Sequence, residues 1–191
     1  MGSKIRQQFS NAHYHIYSRG VDHRKIFIDD HDCDTFLKIF NNISKRKSSL
    51  VYAFCLMTNH FHLYLATPEA NIDELMRDSL SKYVKYFNQK YERTGHLFES
   101  RYQDKIVFDP IYSLLLLKYI HMNPVAAQMV EKPEDWEWSS YKLYLNNETR
   151  YGLLNNNKIM SNFTSMESFV AFHLQDQTPI YNEYFSKIAF Q

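Results

Sequence analysis

The order in which strand-like and helix-like segments follow one another constrains the fold of this chain most strongly. Segments rich in aromatic and aliphatic residues predict four strands, at 12–18, 50–57, 60–66 and 102–108. Apolar residues at helical spacing predict three helices, one from Asp30 or Asp32 to about residue 47, one from Asn71 or Asp73 to about residue 91, and one from Pro110 to about Pro124. The first six elements follow the β-α-β-β-α-β order of the ferredoxin-like fold. We therefore predict an α+β, RRM-like antiparallel sheet with two helices on one face and the third helix on the other.

Two histidines, His60 and His62, lie one residue apart in the third predicted strand. Because side chains alternate between the faces of a strand, both imidazoles project to the same side. Tyr119 and Asn123, four residues apart in the third predicted helix, also share a face. If this helix covers the histidines, the two pairs are neighbours. Two imidazoles and an amide oxygen can hold a divalent metal with open positions, and a tyrosine beside it is a candidate nucleophile toward a phosphodiester.

The same histidine spacing occurs in the first predicted strand, at His13 and His15. Spacing alone does not decide which pair would bind a metal, and one His-x-His pair is more often hydrogen-bonded or on the surface. A tyrosine in a leucine-rich helix usually belongs to the core, and an asparagine before a proline is typical of a helix end. Taken one by one, these residues leave the chemistry open.

The charge of the chain is unevenly distributed. The formal net charge is only +1, which does not by itself indicate a nucleic-acid partner. Residues 1–125, however, carry 17 Lys/Arg and 13 Asp/Glu, whereas residues 126–191 carry 5 and 8. The candidate site thus lies in the basic part, which gives weak support for a phosphate-bearing partner.

Cysteine usage and apolar runs indicate a cytoplasmic protein without a membrane partner. Cys33 and Cys55 are the two cysteines, and their spacing fits neither a disulfide framework nor a metal site. The first residues lack the apolar core of a signal peptide, and the longest aliphatic block, Leu114–Leu117, is far too short to span a bilayer.

Five segments, taken in order, resemble the REP-associated tyrosine transposases, relatives of insertion-sequence single-tyrosine transposases in the HUH nuclease superfamily. They are Tyr-His-Ile-Tyr-Ser-Arg-Gly at 14–20, Met-Thr-Asn-His-Phe-His at 57–62, Gly-His-Leu-Phe-Glu-Ser-Arg-Tyr at 95–102, Lys-Tyr-Ile-His-Met-Asn-Pro-Val at 118–125 and Trp-Glu-Trp-Ser-Ser-Tyr at 136–141. The resemblance covers about residues 12–145, and five ordered segments are far more specific than any single motif. By this resemblance the metal ligands correspond to His60 and His62, not to His13 and His15.

The resemblance implies a metal-dependent endonuclease and strand transferase that acts on single-stranded or hairpin DNA in DNA transposition. Tyr119 would form a 5′-phosphotyrosine, and Asn123 would be a third metal ligand where the family has glutamine or another polar residue. The implied cofactor is Mg²⁺ or Mn²⁺, the implied substrate is a REP-like palindrome, and the implied assembly is a monomer or a homodimer. The candidate phosphate contacts are Arg19, Arg24, Lys82, Lys85, Arg101 and Lys105.

The division of the chain and two other functions remain as predictions to test. Residues 1–145 are expected to form the catalytic domain, and residues 146–191 an Asn-rich linker, at 146–161, followed by a short helix at 163–174. One alternative is a non-catalytic nucleic-acid-binding module that uses aromatic side chains of the sheet. The other is a zinc hydrolase that uses His13 and His15 together with His60 and His62.

Overall fold

A four-stranded antiparallel sheet in the order β2-β3-β1-β4 organises the computed structural model, which describes residues 8–175 and residue 185. The strands are β1 (Ala12–Arg19), β2 (Leu50–Leu56), β3 (His60–Thr67) and β4 (Gln103–Ile106). The helices are α1 (Asp30–Arg46), α2 (Ile72–Lys90), α3 (Pro110–Ala126), α4 (Tyr141–Leu145), α5 (Asn157–Met160) and α6 (Met166–Leu174), with 3₁₀ turns at Val21–His23 and Pro133–Asp135. This is the predicted ferredoxin-like arrangement, and the fold class is confirmed.

Two helix ends differ from the sequence prediction. Asp29 caps α1, not Asp30 or Asp32, because its carboxylate accepts the Asp32 N–H while the Asp32 carboxylate accepts the Asp29 N–H. At its other end, α3 continues past Pro124 to Ala126. A proline removes a single intrahelical hydrogen bond, and Pro124 is buried within the last turns of a helix that packs on the sheet.

Helices cover both faces of the sheet. Phe36 of α1 lies 5.1 Å from Phe61 of β3 and 5.2 Å from Tyr83 of α2, measured between ring centroids, so α1 and α2 share the Phe61 face. Helix α3 packs on the opposite face, against β2 and β3. All residues of β3 are consequently buried.

The register of β1 and β3 places six polar aromatic side chains on the face that α3 covers. Tyr17 pairs with His62 and His15 pairs with Tyr64, and directly opposed residues of an antiparallel pair point to the same side. Strand alternation adds His13 and His60 to this set. We call these residues the polar face of the sheet: His13, His15, Tyr17, His60, His62 and Tyr64.

The segment after α4 packs on the domain in the part that the structure describes. Leu153 and Leu154 are buried, Leu154 bridges to Val51 of β2, and the Asn155 N–H donates to the Val51 carbonyl at 2.7 Å. Phe169 of α6 is fully buried. Part of the Asn-rich stretch at 146–161 thus lies along the edge of the sheet at β2. The division of the chain into residues 1–145 and 146–191 stays a prediction.

Among the described residues, no helix combines the length and the apolar character needed to cross a bilayer.

Candidate active site

The structure brings together the four residues that the sequence singled out on β3 and α3. The ring of Tyr119 meets His62 edge-on at 5.3 Å, and His60 meets His62 edge-on at 5.2 Å. Asn123 acts electrostatically on the side chains of both His60 and Tyr119, and its amide donates to the Tyr119 carbonyl at 3.4 Å. A candidate nucleophile and three candidate metal ligands thus lie side by side between the sheet and α3.

Burial keeps both candidate histidine ligands neutral. His62 is fully buried and His60 is 6% exposed. Burial lowers the pKa of His60 to about 4, with Asn123 opposing this effect and Arg19 acting in the same direction as burial. Burial, and then the neighbouring His15 and His60, hold the pKa of His62 well below its usual value. Neutral imidazoles are the form that binds metals, so the protonation state suits a metal site.

Outer contacts fix the orientation of these imidazoles. His60 Nδ1 lies 2.7 Å from the side-chain oxygen of Asn59, which can only accept, so Nδ1 donates and Nε2 carries the lone pair. The Asn59 amide is itself held by donating to the His23 carbonyl at 3.3 Å. His62 Nδ1 lies 3.0 Å from His15 Nε2. Contacts of this kind set the tautomer and direction of metal-binding histidines.

The side chains of His13 and His15, on β1, do not lie where a four-histidine zinc site would require them. His15 supports His62, whereas His13 Nδ1 is hydrogen-bonded to the Tyr64 hydroxyl at 2.9 Å. Within residues 8–175 and residue 185, no three His, Cys, Asp or Glu side chains converge on one point. The zinc-hydrolase alternative therefore lacks its ligand set in the described part of the chain.

Tyr119 is a protonated phenol in this environment. Only 9% of it is exposed, and burial raises its pKa to about 12, an effect that Asn123 partly offsets. The ring of Phe185 stacks on Tyr119 with centroids 4.4 Å apart and planes 4° apart, and it also lies 5.6 Å from Tyr112. Tyr119 therefore needs both activation and access before it can attack a phosphodiester.

The candidate phosphate contacts separate into two groups. Arg19 lies opposite His60 in the β1–β3 pair and forms an ion pair with Glu99 at 2.9 Å, and Lys105 lies opposite His15 in the β1–β4 pair. These two cations are on the polar face. The others lie away from it: Lys82 and Lys85 on α2 across the sheet, Arg101 paired with Asp73 at 3.3 Å, and Arg24 beside Asp22 at 3.9 Å.

Sequence reasoning missed the outer contacts of the site. His15 was considered only as a rival ligand, and Asn59 only as a turn residue in the histidine motif. The pairing of His15 with Tyr64 depends on strand register, which one sequence does not reveal. Asn59 could have been found, because a polar residue directly before a predicted ligand is a candidate partner for it.

Comparison with known proteins identifies the family. The family model described as "Transposase IS200 like" matches residues 8–123. A protein of Haemophilus influenzae named as a REP-associated tyrosine transposase is 24% identical over 152 residues, covering 73% of this chain and 85% of that relative. A solved structure of a REP-associated tyrosine transposase bound to a REP hairpin has a TM-score of 0.64 at 13% identity, covering 80% of this chain and 88% of that one. These matches confirm the predicted family resemblance. With more than half of its length matched, the chain belongs to the IS200-like transposases, which are DNA-cleaving and strand-joining enzymes.

Proposed function

We propose that this transposase cleaves and rejoins single-stranded or hairpin DNA through a 5′-phosphotyrosine at Tyr119, beside a divalent ion held by His60, His62 and Asn123. One observation carries the proposal. Tyr119 meets His62 edge-on at 5.3 Å, while Asn123, one turn further along α3, acts electrostatically on both Tyr119 and His60 and donates to the Tyr119 carbonyl at 3.4 Å. The nucleophile and the donor set therefore belong to one connected group.

The donor set fits a small divalent ion. Two neutral imidazoles and an amide oxygen leave positions for phosphate oxygens, and we propose Mg²⁺ or Mn²⁺ as the ion, with imidazole favouring Mn²⁺ in affinity. When bound, the ion would neutralise charge on the scissile phosphate. Asn59 and His15 would hold the two imidazoles in the required orientation.

The chemical step assigned to this chain belongs to Tyr119. Its phenolic oxygen loses its proton and forms a bond to phosphorus, while the bond from phosphorus to the 3′ oxygen breaks and that oxygen takes up a proton. The products are a 5′-phosphotyrosine and a 3′-hydroxyl, and attack by a 3′-hydroxyl on the phosphotyrosine rejoins the strand without ATP. Because burial disfavours the phenolate, Asn123, which lowers the pKa of Tyr119, is the activating neighbour that the chain itself supplies.

We propose a hairpin with an unpaired flank, of the REP-like palindrome class, as the substrate. The structurally similar transposase is bound to a REP hairpin, which supports this substrate class. Arg19 and Lys105 are the first candidates for phosphate contacts because they flank the histidines on the polar face. Lys82 and Lys85 would reach the DNA only if it extended around the sheet.

A covalent-trapping experiment tests the proposal. A labelled hairpin with a single-stranded flank is incubated with the full chain and Mn²⁺, and a denaturation-resistant protein–DNA adduct is expected. Tyr119→Phe should bind the hairpin and form no adduct, whereas the control Tyr112→Phe, a buried tyrosine of the same helix, should still form it. Binding without an adduct in the unaltered chain would favour the non-catalytic nucleic-acid-binding module. An adduct that persists in Tyr119→Phe would refute Tyr119 as the nucleophile.

A further inference from the structure

A cavity lies at the end of the polar face away from Tyr119, where α3 begins. Its volume is about 340 Å³, within the range of sites that hold small organic groups. The sheet contributes its floor, the first residues of α3 one wall, and the segment after α4 the other. The lining residues used below are His13, Tyr52, Tyr64, Phe108, Ser113 and Lys158.

Polar contacts order the floor of this cavity. Lys158 Nζ lies 3.3 Å from His13 Nε2, and because an ammonium only donates, Nε2 accepts and Nδ1 donates to the Tyr64 hydroxyl at 2.9 Å. The His13 ring stacks on Tyr52 with centroids 5.2 Å apart and planes 8° apart. Ser113, from the first turns of α3, lines the same cavity. These groups form a preorganised surface, with one cation at its rim.

A large aromatic side chain is exposed at the cavity. Phe108, which lines it, is 83% exposed. An exposed aromatic ring next to a cation is the combination that proteins use to hold unpaired bases, because the ring stacks on the base and the cation meets the phosphate.

The cavity is close enough to the nucleophile for one DNA strand to reach both. Ser113 and Tyr119 are six residues apart on α3, which corresponds to about 9 Å along the helix axis. Tyr64 and His62 are two residues apart on β3, which corresponds to about 7 Å. The cavity therefore lies within a few nucleotides of the bond that Tyr119 would cleave.

We propose that this cavity binds one unpaired nucleotide of the DNA strand close to the cleavage position, with its base stacked on Phe108 and its phosphate on Lys158. The inference rests on the proposed function, since it requires a DNA strand at Tyr119. It gives the segment after α4 a part in substrate selection, because Lys158 lies outside the residues 8–123 that match the family model.

An abasic scan combined with two substitutions tests the proposal. Nucleotides of the single-stranded flank are replaced one at a time by abasic sites, and affinity for the full chain is measured by fluorescence anisotropy. One position should lose about 5- to 150-fold in affinity, the loss that corresponds to one stacked base. Phe108→Ala should weaken binding of the intact flank by a similar factor and have no further effect on the DNA that is abasic at that position.

Matched variants separate this site from general effects. Lys158→Gln should lower the slope of log affinity against log salt concentration by about one, as expected for a lost phosphate contact. Lys142→Gln, the same change elsewhere after α3, and Phe9→Ala, another exposed aromatic, should leave affinity unchanged.

The outcomes distinguish the nucleotide site from the proposed function. If the unaltered chain forms the Tyr119 adduct but Phe108→Ala and Lys158→Gln bind every DNA like the unaltered chain, the nucleotide site is wrong and the transposase assignment stands. Additive losses from Phe108→Ala and the abasic position also overturn the site. If no hairpin yields an adduct, the proposed function itself fails.

Discussion

A chain of hydrogen bonds between α3 and α6 makes the stability of this protein sensitive to acid. His173 Nδ1 lies 2.9 Å from the Phe169 carbonyl, which only accepts, so His173 Nε2 is left to accept from His121 Nδ1 at 2.9 Å. His121 Nε2 then accepts from the Ser140 hydroxyl at 2.7 Å. All three hydrogen bonds donate in one direction, from Ser140 toward the Phe169 carbonyl. A proton added to His173 Nε2 would face the N–H at His121 Nδ1, and the two donors would repel each other.

The sign and size of the effect follow from the pKa of His173. Burial lowers this pKa from 6.5 to about 4, with Lys118 acting in the same direction and the Phe169 carbonyl opposing it. The unfolded chain therefore binds a proton as the pH falls below 6.5, while the folded chain does not until about pH 4. The stabilisation is complete above pH 6.5 and is lost on the way to pH 4. Between about pH 7 and pH 5 the loss from this one group is about 2 kcal/mol.

The perturbation that isolates this group is His173→Gln, because glutamine offers an oxygen to His121 and does not titrate. Unfolding by urea, followed by the fluorescence of Trp136 and Trp138, gives the free energy of unfolding at several pH values with a chelator present. The free energy should fall between pH 7 and pH 5 by about 2 kcal/mol less in the variant than in the unaltered chain. His96→Gln, a change at an exposed histidine, should follow the unaltered chain. Parallel curves for His173→Gln and the unaltered chain would refute the reasoning.

Three further results are expected. Asn59→Ala should weaken Mn²⁺ binding, measured by calorimetry, about 10- to 100-fold because His60 loses the partner that orients it; an unchanged affinity would place the metal elsewhere. Phe185→Ala should speed adduct formation because it uncovers the stacked face of Tyr119, and slower formation in a single-turnover assay would contradict a covering role. Phe169→Ala should lower the free energy of unfolding by about 3–5 kcal/mol because the ring is fully buried. A loss below about 1 kcal/mol in urea titrations would instead support an independent domain that ends near residue 145.

Local patterns were sufficient to predict the order of the elements. The Asp109-Pro110 start of α3, for example, combines an N-cap carboxylate with a proline at the first helical position, and the structure shows both. The start of α1 was less certain because Asp29, Asp30 and Asp32 are all capping residues by type. The reciprocal hydrogen bonds between Asp29 and Asp32 identify Asp29 as the N-cap of α1, and these bonds depend on the geometry of the turn.

The candidate site was partly predictable for the same reason. Strand alternation and helical spacing put His60 with His62 and Tyr119 with Asn123, and the fold order put α3 over the histidines. The support of His62 by His15 required the register of β1 against β3. The packing of the Asn-rich segment was missed because polar residues dominate its composition. Two apolar residues within the segment, Leu153 and Leu154, anchor it to β2.

Contacts from α6 and Phe185 converge on the turn of α3 that carries the proposed nucleophile, Tyr119. The buried Lys118 ammonium donates to the Phe172 carbonyl at 3.1 Å and to the Gln175 carbonyl, both at the end of α6. Phe185 stacks on Tyr119, and His173 accepts from His121. Carbonyls at a helix C-terminus attract cations, so the Lys118 contact is favourable for α6 as well as for α3.

These contacts couple the position of Tyr119 to residues outside the part of the chain that matches the family model. The proposed metal ligands His60 and His62 lie on the central strand β3 and are fixed by the sheet, whereas Tyr119 lies on a helix whose outer side is held by α6. A change in α6 would therefore shift the nucleophile relative to the histidines without moving the histidines themselves. Since attack on phosphorus requires close alignment of the reacting atoms, such a change should slow adduct formation more than it weakens metal or DNA binding.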